Sequence, residues 1–264
     1  MRPVPAPRRR SLPAPDIDPQ RALAFSRKLR AWYRRHGRDL PWRYTRDPYE
    51  ILVSELMLQQ TQVSRVLDFY PRFLSRFPTL DDLARAAPKR VRESWEGLGY
   101  YARARNLHKL ARQVTRDGDG ARSALPEQPH ELRALPGVGA YTAGAVACFA
   151  YEQRVATVDT NVARVLSRAF APGLRPKRAR DLKRIWQIAE RTLPRTGKAT
   201  WEHNQALMEL GALVCTARIA RCDACPVQRQ CTTGEAIMNS ADKNGAGNNR
   251  PGKNSAGKNS EGSV

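Results

Sequence analysis

Leu135-Pro136-Gly137-Val138-Gly139-Ala140-Tyr141-Thr142-Ala143-Gly144-Ala145-Val146 joins two helix-like segments through a short turn. Pro136 stops the first helix, and two glycines permit a tight or left-handed backbone. The helix that starts at Ala140 then offers free backbone N–H groups at its first turn. Such a terminus holds a phosphate with no side chain required. The same pattern also serves as a plain connection between helices.

Outward from this hairpin, apolar residues recur at three- and four-residue intervals. The intervals predict helices over 21–36, 48–74, 79–86, 91–96, 102–116, 131–135, 140–149, 160–169, 178–192 and 204–214. Pro71 is expected to kink or divide the second of these. Short Pro/Gly breaks separate the segments, and no strand series or internal repeat interrupts them. The reading is all-α. Residues 1–20 are rich in Pro and Arg and are expected to be disordered, as is the polar tail 239–264.

The 264 residues carry a formal net charge of +21. Clustered Lys and Arg release counterions from phosphates, so a nucleic-acid partner fits this balance. Charge alone does not separate DNA from RNA or from an acidic protein. No apolar run reaches membrane-spanning length, which argues against a membrane protein. The first residues lack the apolar core of a secretory signal, so a cytoplasmic, reducing compartment is expected.

Four of the five cysteines read Cys215-x6-Cys222-x2-Cys225-x5-Cys231. Two disulfides would need an oxidising compartment. A structural zinc site usually pairs two C-x2-4-C knuckles, and only Cys222 and Cys225 form one. A [4Fe-4S] cubane takes one thiolate per iron, and the close, unequal spacing suits it best.

Two carboxylates stand out. On a helical wheel at about 100° per residue, Glu55 falls in the sector of Ile51, Leu52, Leu58 and Val66. A desolvated carboxyl keeps its proton to higher pH, which suits a general acid. A glutamate at the rim of a core, reaching for water, has the same pattern. Asp159 precedes a helix, where its plainest role is an N-cap.

The chain resembles MutY-type adenine DNA glycosylases of the endonuclease III-like helix-hairpin-helix superfamily. The matching stretches are Leu40-Pro41-Trp42-Arg43, Asp47-Pro48-Tyr49 and Ser54-Glu55-Leu56-Met57-Leu58-Gln59-Gln60-Thr61-Gln62-Val63. Gly97-Leu98-Gly99-Tyr100-Tyr101-Ala102-Arg103-Ala104-Arg105-Asn106-Leu107, the hairpin, Val158-Asp159-x-Asn161 and the cysteine loop complete the likeness. It covers about residues 25–235.

The resemblance implies a two-lobed, all-α glycosylase. A six-helix barrel over 42–155 carries the hairpin, and residues 21–41 with 156–235 form an iron–sulfur lobe. It implies a monomer that acts on double-stranded DNA and extrudes the mispaired base into a pocket. Glu55 protonates the adenine and helps position water. Asp159 stabilises the positive sugar or transiently bonds to it, with Tyr141 and Asn161 beside these two.

By the same resemblance, Gln60 and Tyr100 look like the residues that enter the base stack or contact the mispaired base. Arg38, Leu40, Trp42, Arg43 and Leu58 line or brace the adenine pocket, and Gly137 and Gly139 grip the backbone. The resemblance likewise implies that Cys215, Cys222, Cys225 and Cys231 hold a [4Fe-4S] cluster. Bifunctional relatives place a lysine nucleophile where Tyr141 stands, so efficient strand cleavage is not expected.

Thr160 replaces a glycine common in the family. The likeness does not extend to the C-terminal MutT-like domain that reads 8-oxoguanine in many members. Two other functions stay open: a thymine or broad mismatch glycosylase, and a noncatalytic Fe–S DNA-binding protein. Leu58-Gln59-Gln60-Thr61-Gln62 favours adenine over the first, and the pair Glu55 and Asp159 argues against the second.

Overall fold

The computed structural model describes residues 16–117 and 124–246. Twelve α-helices form among them, with no strand beyond an isolated bridge between Cys215 and Ala220. In chain order they are α1 (Pro19–His36), α2 (Pro48–Leu58), α3 (Val63–Arg76), α4 (Leu80–Arg85), α5 (Pro88–Glu93) and α6 (Ala102–Asp117). There follow α7 (Pro129–Leu132), α8 (Ala140–Phe149), α9 (Thr160–Phe170), α10 (Ala179–Thr192), α11 (Gly197–Leu213) and α12 (Thr232–Ala246).

Local chemistry sets many of the starts. Asp18-Pro19 and Asp47-Pro48 each place a capping carboxylate before a proline at the first helical position. Asp18 accepts from the N–H groups of Gln20 and Arg21, and Asp47 from those of Tyr49 and Glu50. Each pairing satisfies N–H groups that a helix start leaves orphaned. Thr79 and Thr196 cap α4 and α11 in the same way.

The helices pack around two apolar clusters. The first runs from Leu40 to Phe149 and is centred on α2, whose residues from Ile51 to Met57 are all buried. A helix apolar on every face belongs inside a core. Trp95 and Phe73 meet edge-on there, with centroids 5.6 Å apart. The second cluster joins Phe25, Leu29 and Trp32 of α1 to residues between Ala156 and Val227. Each fully buried Leu or Phe contributes about 2 kcal/mol. Met208 of α11 packs against both clusters.

Three expectations need correction. The predicted helix over 48–74 is two helices, and the break falls at residues 59–62 rather than at Pro71. Gln60 adopts φ 56° there, while Pro71 lies inside α3 on an exposed face where water can serve the freed carbonyl. Val66 therefore belongs to α3, although Glu55 still lies among apolar residues.

The disordered segment assigned to 1–20 gives way at its end. Asp18 caps α1, and Pro19 and Gln20 begin it. The polar tail assigned from 239 enters α12 for residues 239–246. Thr233 Oγ1 donates to the Arg168 carbonyl at 2.8 Å, and Arg21 Nη2 donates to Thr232 Oγ1 at 2.8 Å. Those bonds pin the first turn of α12. Extending an existing helix costs far less than starting one, so polar residues follow it. Residues 1–15 and 247–264 lie outside the described residues.

Candidate active site

Glu55 sits on α2 and is 5% exposed. Its Oε2 accepts a 2.6 Å hydrogen bond from the hydroxyl of Tyr141, the second residue of α8. Burial pushes the Glu55 carboxyl up to about 7. The Tyr141 hydrogen bond pulls the other way, and the charge of Asp159 adds to the rise. Burial also holds the Tyr141 phenol well above its usual value, so it remains a donor.

The hairpin decides where Tyr141 goes. Leu135 and Val138 are buried and anchor it in the first cluster. Gly137 takes φ 79°, and a Cβ there would lie 2.7 Å from Asn106 Cβ on α6. Gly139 instead has φ −87° and is the N-cap of α8, with no side chain capping the first turn. A Cβ on Gly139 would meet nothing within 4 Å, so the approach to this terminus is open.

Asp159 is the N-cap of α9, accepting from the Val162 N–H at 2.6 Å. Its other oxygen accepts from Asn161 Nδ2 at 3.1 Å. Burial raises this carboxyl, while the cap, Asn161 and the Arg164 charge hold it down. Asn161 Oδ1 in turn accepts from Arg164 Nη2 at 2.7 Å. Gly211 of α11 permits the close approach, since a Cβ there would come 2.7 Å from Asn161 Cβ.

One cavity of about 260 Å³ unites these groups. Arg38, Leu40, Trp42, Arg43, Glu55, Leu58, Tyr141, Asp159 and Asn161 all line it. Its walls come from the first cluster, from the start of α9 and from α11, whose Met208 packs against both clusters. Leu40 and Trp42 also pack in the first cluster, at 4% and 7% exposure, so lining and core packing coincide in them.

Sequence reasoning missed the α11 wall: Gln205, Met208, Glu209 and Ala212. Their spacing of i, i+3, i+4 and i+7 is one helix face. A polar pair in an otherwise apolar stripe was the available signal.

Glu209 is fully buried. Arg38 grips it with Nε at 2.7 Å and Nη2 at 3.0 Å, and Arg43 Nη2 donates at 2.6 Å. Burial works against the Glu209 charge, but the two arginines hold the carboxyl down at about 2. Arg43 Nε also reaches Gln205 Oε1 at 3.1 Å. The pocket thus combines one proton-holding carboxyl with one ionised carboxylate locked in a cationic fork.

Gln60 and Tyr100 do not line the cavity. Both are exposed and both take left-handed backbone, Gln60 with φ 56° and Tyr100 with φ 47°.

The four loop cysteines border a second small cavity of about 20 Å³. All five cysteines are free thiols. Arg168 Nη1 donates to Cys215 Sγ at 3.2 Å, and the Gly234 N–H to Cys231 Sγ at 3.4 Å. Burial pushes the Cys222, Cys225 and Cys231 thiols up, and backbone N–H groups beside Cys225 and Cys231 partly offset it. Among the described residues no three His, Cys, Asp or Glu side chains group around a single metal ion. All four thiols do line the one small cavity, and four thiolates are the number of donors a cubane takes.

Residues 53–191 match the profile of the HhH-GPD superfamily base excision DNA repair proteins. An adenine DNA glycosylase of Mycobacterium tuberculosis is 46% identical over 220 residues, 82% of this chain and 69% of that protein. The adenine DNA glycosylase of Rattus norvegicus is 42% identical over 222 residues, 81% of this chain and 42% of that protein. A solved thermostable thymine-DNA glycosylase superposes with TM-score 0.74 at 30% identity, covering 82% of this chain and 98% of that one. The chain belongs to the HhH-GPD superfamily of base excision DNA repair proteins and, within it, to the adenine DNA glycosylase family. It spans about two-fifths of the length of the mammalian relatives it matches.

Proposed function

We propose that this protein removes adenine mispaired with guanine or 8-oxoguanine from double-stranded DNA by hydrolysing its N-glycosidic bond. One observation carries the reading: Glu55 and Asp159 face one cavity, with Tyr141 bonded to the first and Asn161 to the second. Breaking this bond creates a cationic sugar and a poor anionic leaving group. A protonated carboxyl answers the leaving group, and an ionised one answers the cation. Glu55, poised at about 7, holds the proton for the base. Asp159 sits at the positive end of α9, which favours the anion it needs in the transition state. With Tyr141 in place of an amine the lysine Schiff base of bifunctional relatives is missing, so efficient strand cleavage is not expected.

The two apolar clusters support a two-lobed molecule that takes the extruded base between its lobes. Gln60, exposed in the break between α2 and α3, and Tyr100, exposed before α6, suit contact with the mispair. The N-terminus of α8, with Gly139 open before it, suits a backbone phosphate. Cys215, Cys222, Cys225 and Cys231 would hold a [4Fe-4S] cluster, which supplies a rigid staple for the basic loop of Arg218, Arg221 and Arg229. This chemistry fits a monomer in a reducing, cytoplasmic compartment.

The thymine-DNA glycosylase likeness keeps one rival reading in play. Purified protein incubated with A:8-oxoguanine, A:G, T:G and U:G duplexes, then alkali, separates the two. Cleavage at adenine is expected. Cleavage at thymine or uracil instead overturns the reading.

A further inference from the structure

Two exposed residues with left-handed backbone, Gln60 and Tyr100, are held from a single point. That point is the guanidinium of Arg103 in α6, a residue 7% exposed. Its Nη1 donates to the carbonyls of Leu56 and Met57, each at 2.8 Å, and to that of Gln59. Its Nη2 donates to the carbonyls of Leu98 at 3.2 Å and Gly99 at 3.0 Å, and to Thr61 Oγ1 at 3.1 Å.

The Gln59 carbonyl belongs to the peptide bond that enters Gln60. The Gly99 carbonyl belongs to the one that enters Tyr100. One side chain therefore fixes both peptide planes. The guanidinium carbon also lies 5.5 Å from the ring centroids of Trp95 and of Tyr100. Trp95 Nε1 donates to the Gly99 carbonyl as well, at 3.3 Å.

All six oxygens around this cation are neutral. Leu56 and Met57 close the last turn of α2, where unpaired carbonyls carry the negative end of the helix. Positive φ persists at a non-glycine residue only where its surroundings over-determine it. Arg103 supplies that constraint at two places 40 residues apart in sequence. Lysine, a point charge on a flexible stem, does not span six acceptors.

We propose that Arg103 is a positioning residue for base extrusion, holding Gln60 and Tyr100 in one shared geometry from which both enter the duplex at the mispair. The inference rests on the adenine-glycosylase reading above.

A double-mutant cycle tests it. Single-turnover adenine release from an A:8-oxoguanine duplex is measured for wild type, R103K, the Gln60→Ala/Tyr100→Ala pair, and all three changes combined. R103K is expected to slow release on the order of 100-fold in the wild-type background, the scale of a 1 Å misplacement. In the background lacking both side chains the loss shrinks to about twofold or less. An equal loss in both backgrounds, or none in wild type, overturns the inference.

Extrusion is read separately from the fluorescence of 2-aminopurine at the target position. R103K should lower the rise on binding, and an unchanged rise counts against the clamp. Thermal melting monitors folding. If R103K does not fold, Thr61→Val takes its place in the cycle. It removes one of the six oxygens, for a loss of about fivefold that likewise vanishes without Gln60 and Tyr100. If wild type releases no adenine, the proposed function falls instead, and the 2-aminopurine signal still decides the role of Arg103.

Discussion

The Tyr141 hydroxyl donates to Glu55 Oε2 at 2.6 Å, and this bond restrains a carboxyl that burial lifts to about 7. A general acid works in its protonated form. Adenine release should be full below pH 7 and fall about tenfold per unit above it. Tyr141→Phe removes the bond that lowers Glu55, so the alkaline limb moves to higher pH. Single-turnover rates between pH 5 and 9 show it. A limb that stays in place or moves to lower pH would contradict this role for Tyr141.

Glu55→Gln should cost roughly 10²–10⁴-fold in adenine release, the usual worth of a positioned general acid. It should also stabilise the fold. Glu55 is 5% exposed, and its folded value lies above that of the unfolded chain. The native state therefore loses stability as pH rises from about 4.5 to about 7. Gln carries no such penalty, so the variant should gain up to about 3 kcal/mol at pH 8 and nothing at pH 4. Urea melts at the two pH values read the difference. A variant no more stable at pH 8 than wild type would show that Glu55 is solvated.

The apolar setting of Glu55 was legible because it stands in a run of apolar residues on α2, but its full burial was not, since a glutamate at the rim of a core has the same pattern. The cysteine loop was legible because its spacing is local. The end of α2 was not. It is set by Arg103, which reaches the carbonyls of Leu56, Met57 and Gln59 from more than 40 residues away. Pro71 carries a strong local signal and lost to that long-range contact. Glu209 was hidden for a related reason. A lone glutamate in a helix reads as solvated until Arg38 and Arg43 are seen to close on it.

Those two arginines give Glu209 a folded value of about 2, well below its unfolded one. The stability it contributes is therefore present above about pH 4.5 and lost as pH falls toward 2. Glu209→Gln leaves the largely buried Arg43 and the partly exposed Arg38 facing a neutral amide. It should destabilise the protein by roughly 3 kcal/mol at pH 7. Melts of wild type and variant should converge as the pH approaches 2. A gap that stays constant with pH would mean the loss comes from packing and not from charge.

Arg164 ties the Asp159 end of the pocket to the cysteine loop. Its Nη2 donates to Asn161 Oδ1 at 2.7 Å and to the Gly211 carbonyl at 2.8 Å, and its Nε donates to the Cys215 carbonyl at 2.9 Å. Asn161 then donates to Asp159 Oδ2 at 3.1 Å. A cysteine loop that shifts should move Arg164, and through Asn161 turn the carboxylate proposed to face the sugar cation. Lysine keeps the charge but cannot make this fork. Arg164→Lys should lower kcat about tenfold, the worth of a charge-assisted hydrogen bond, and leave KM and duplex affinity near wild type. Iron content per chain, which reads the proposed cluster, separates the two ends of the link. Iron retained with kcat lowered places the damage at Asp159. Wild-type kcat in Arg164→Lys would show that Asn161 orients Asp159 without help from the loop.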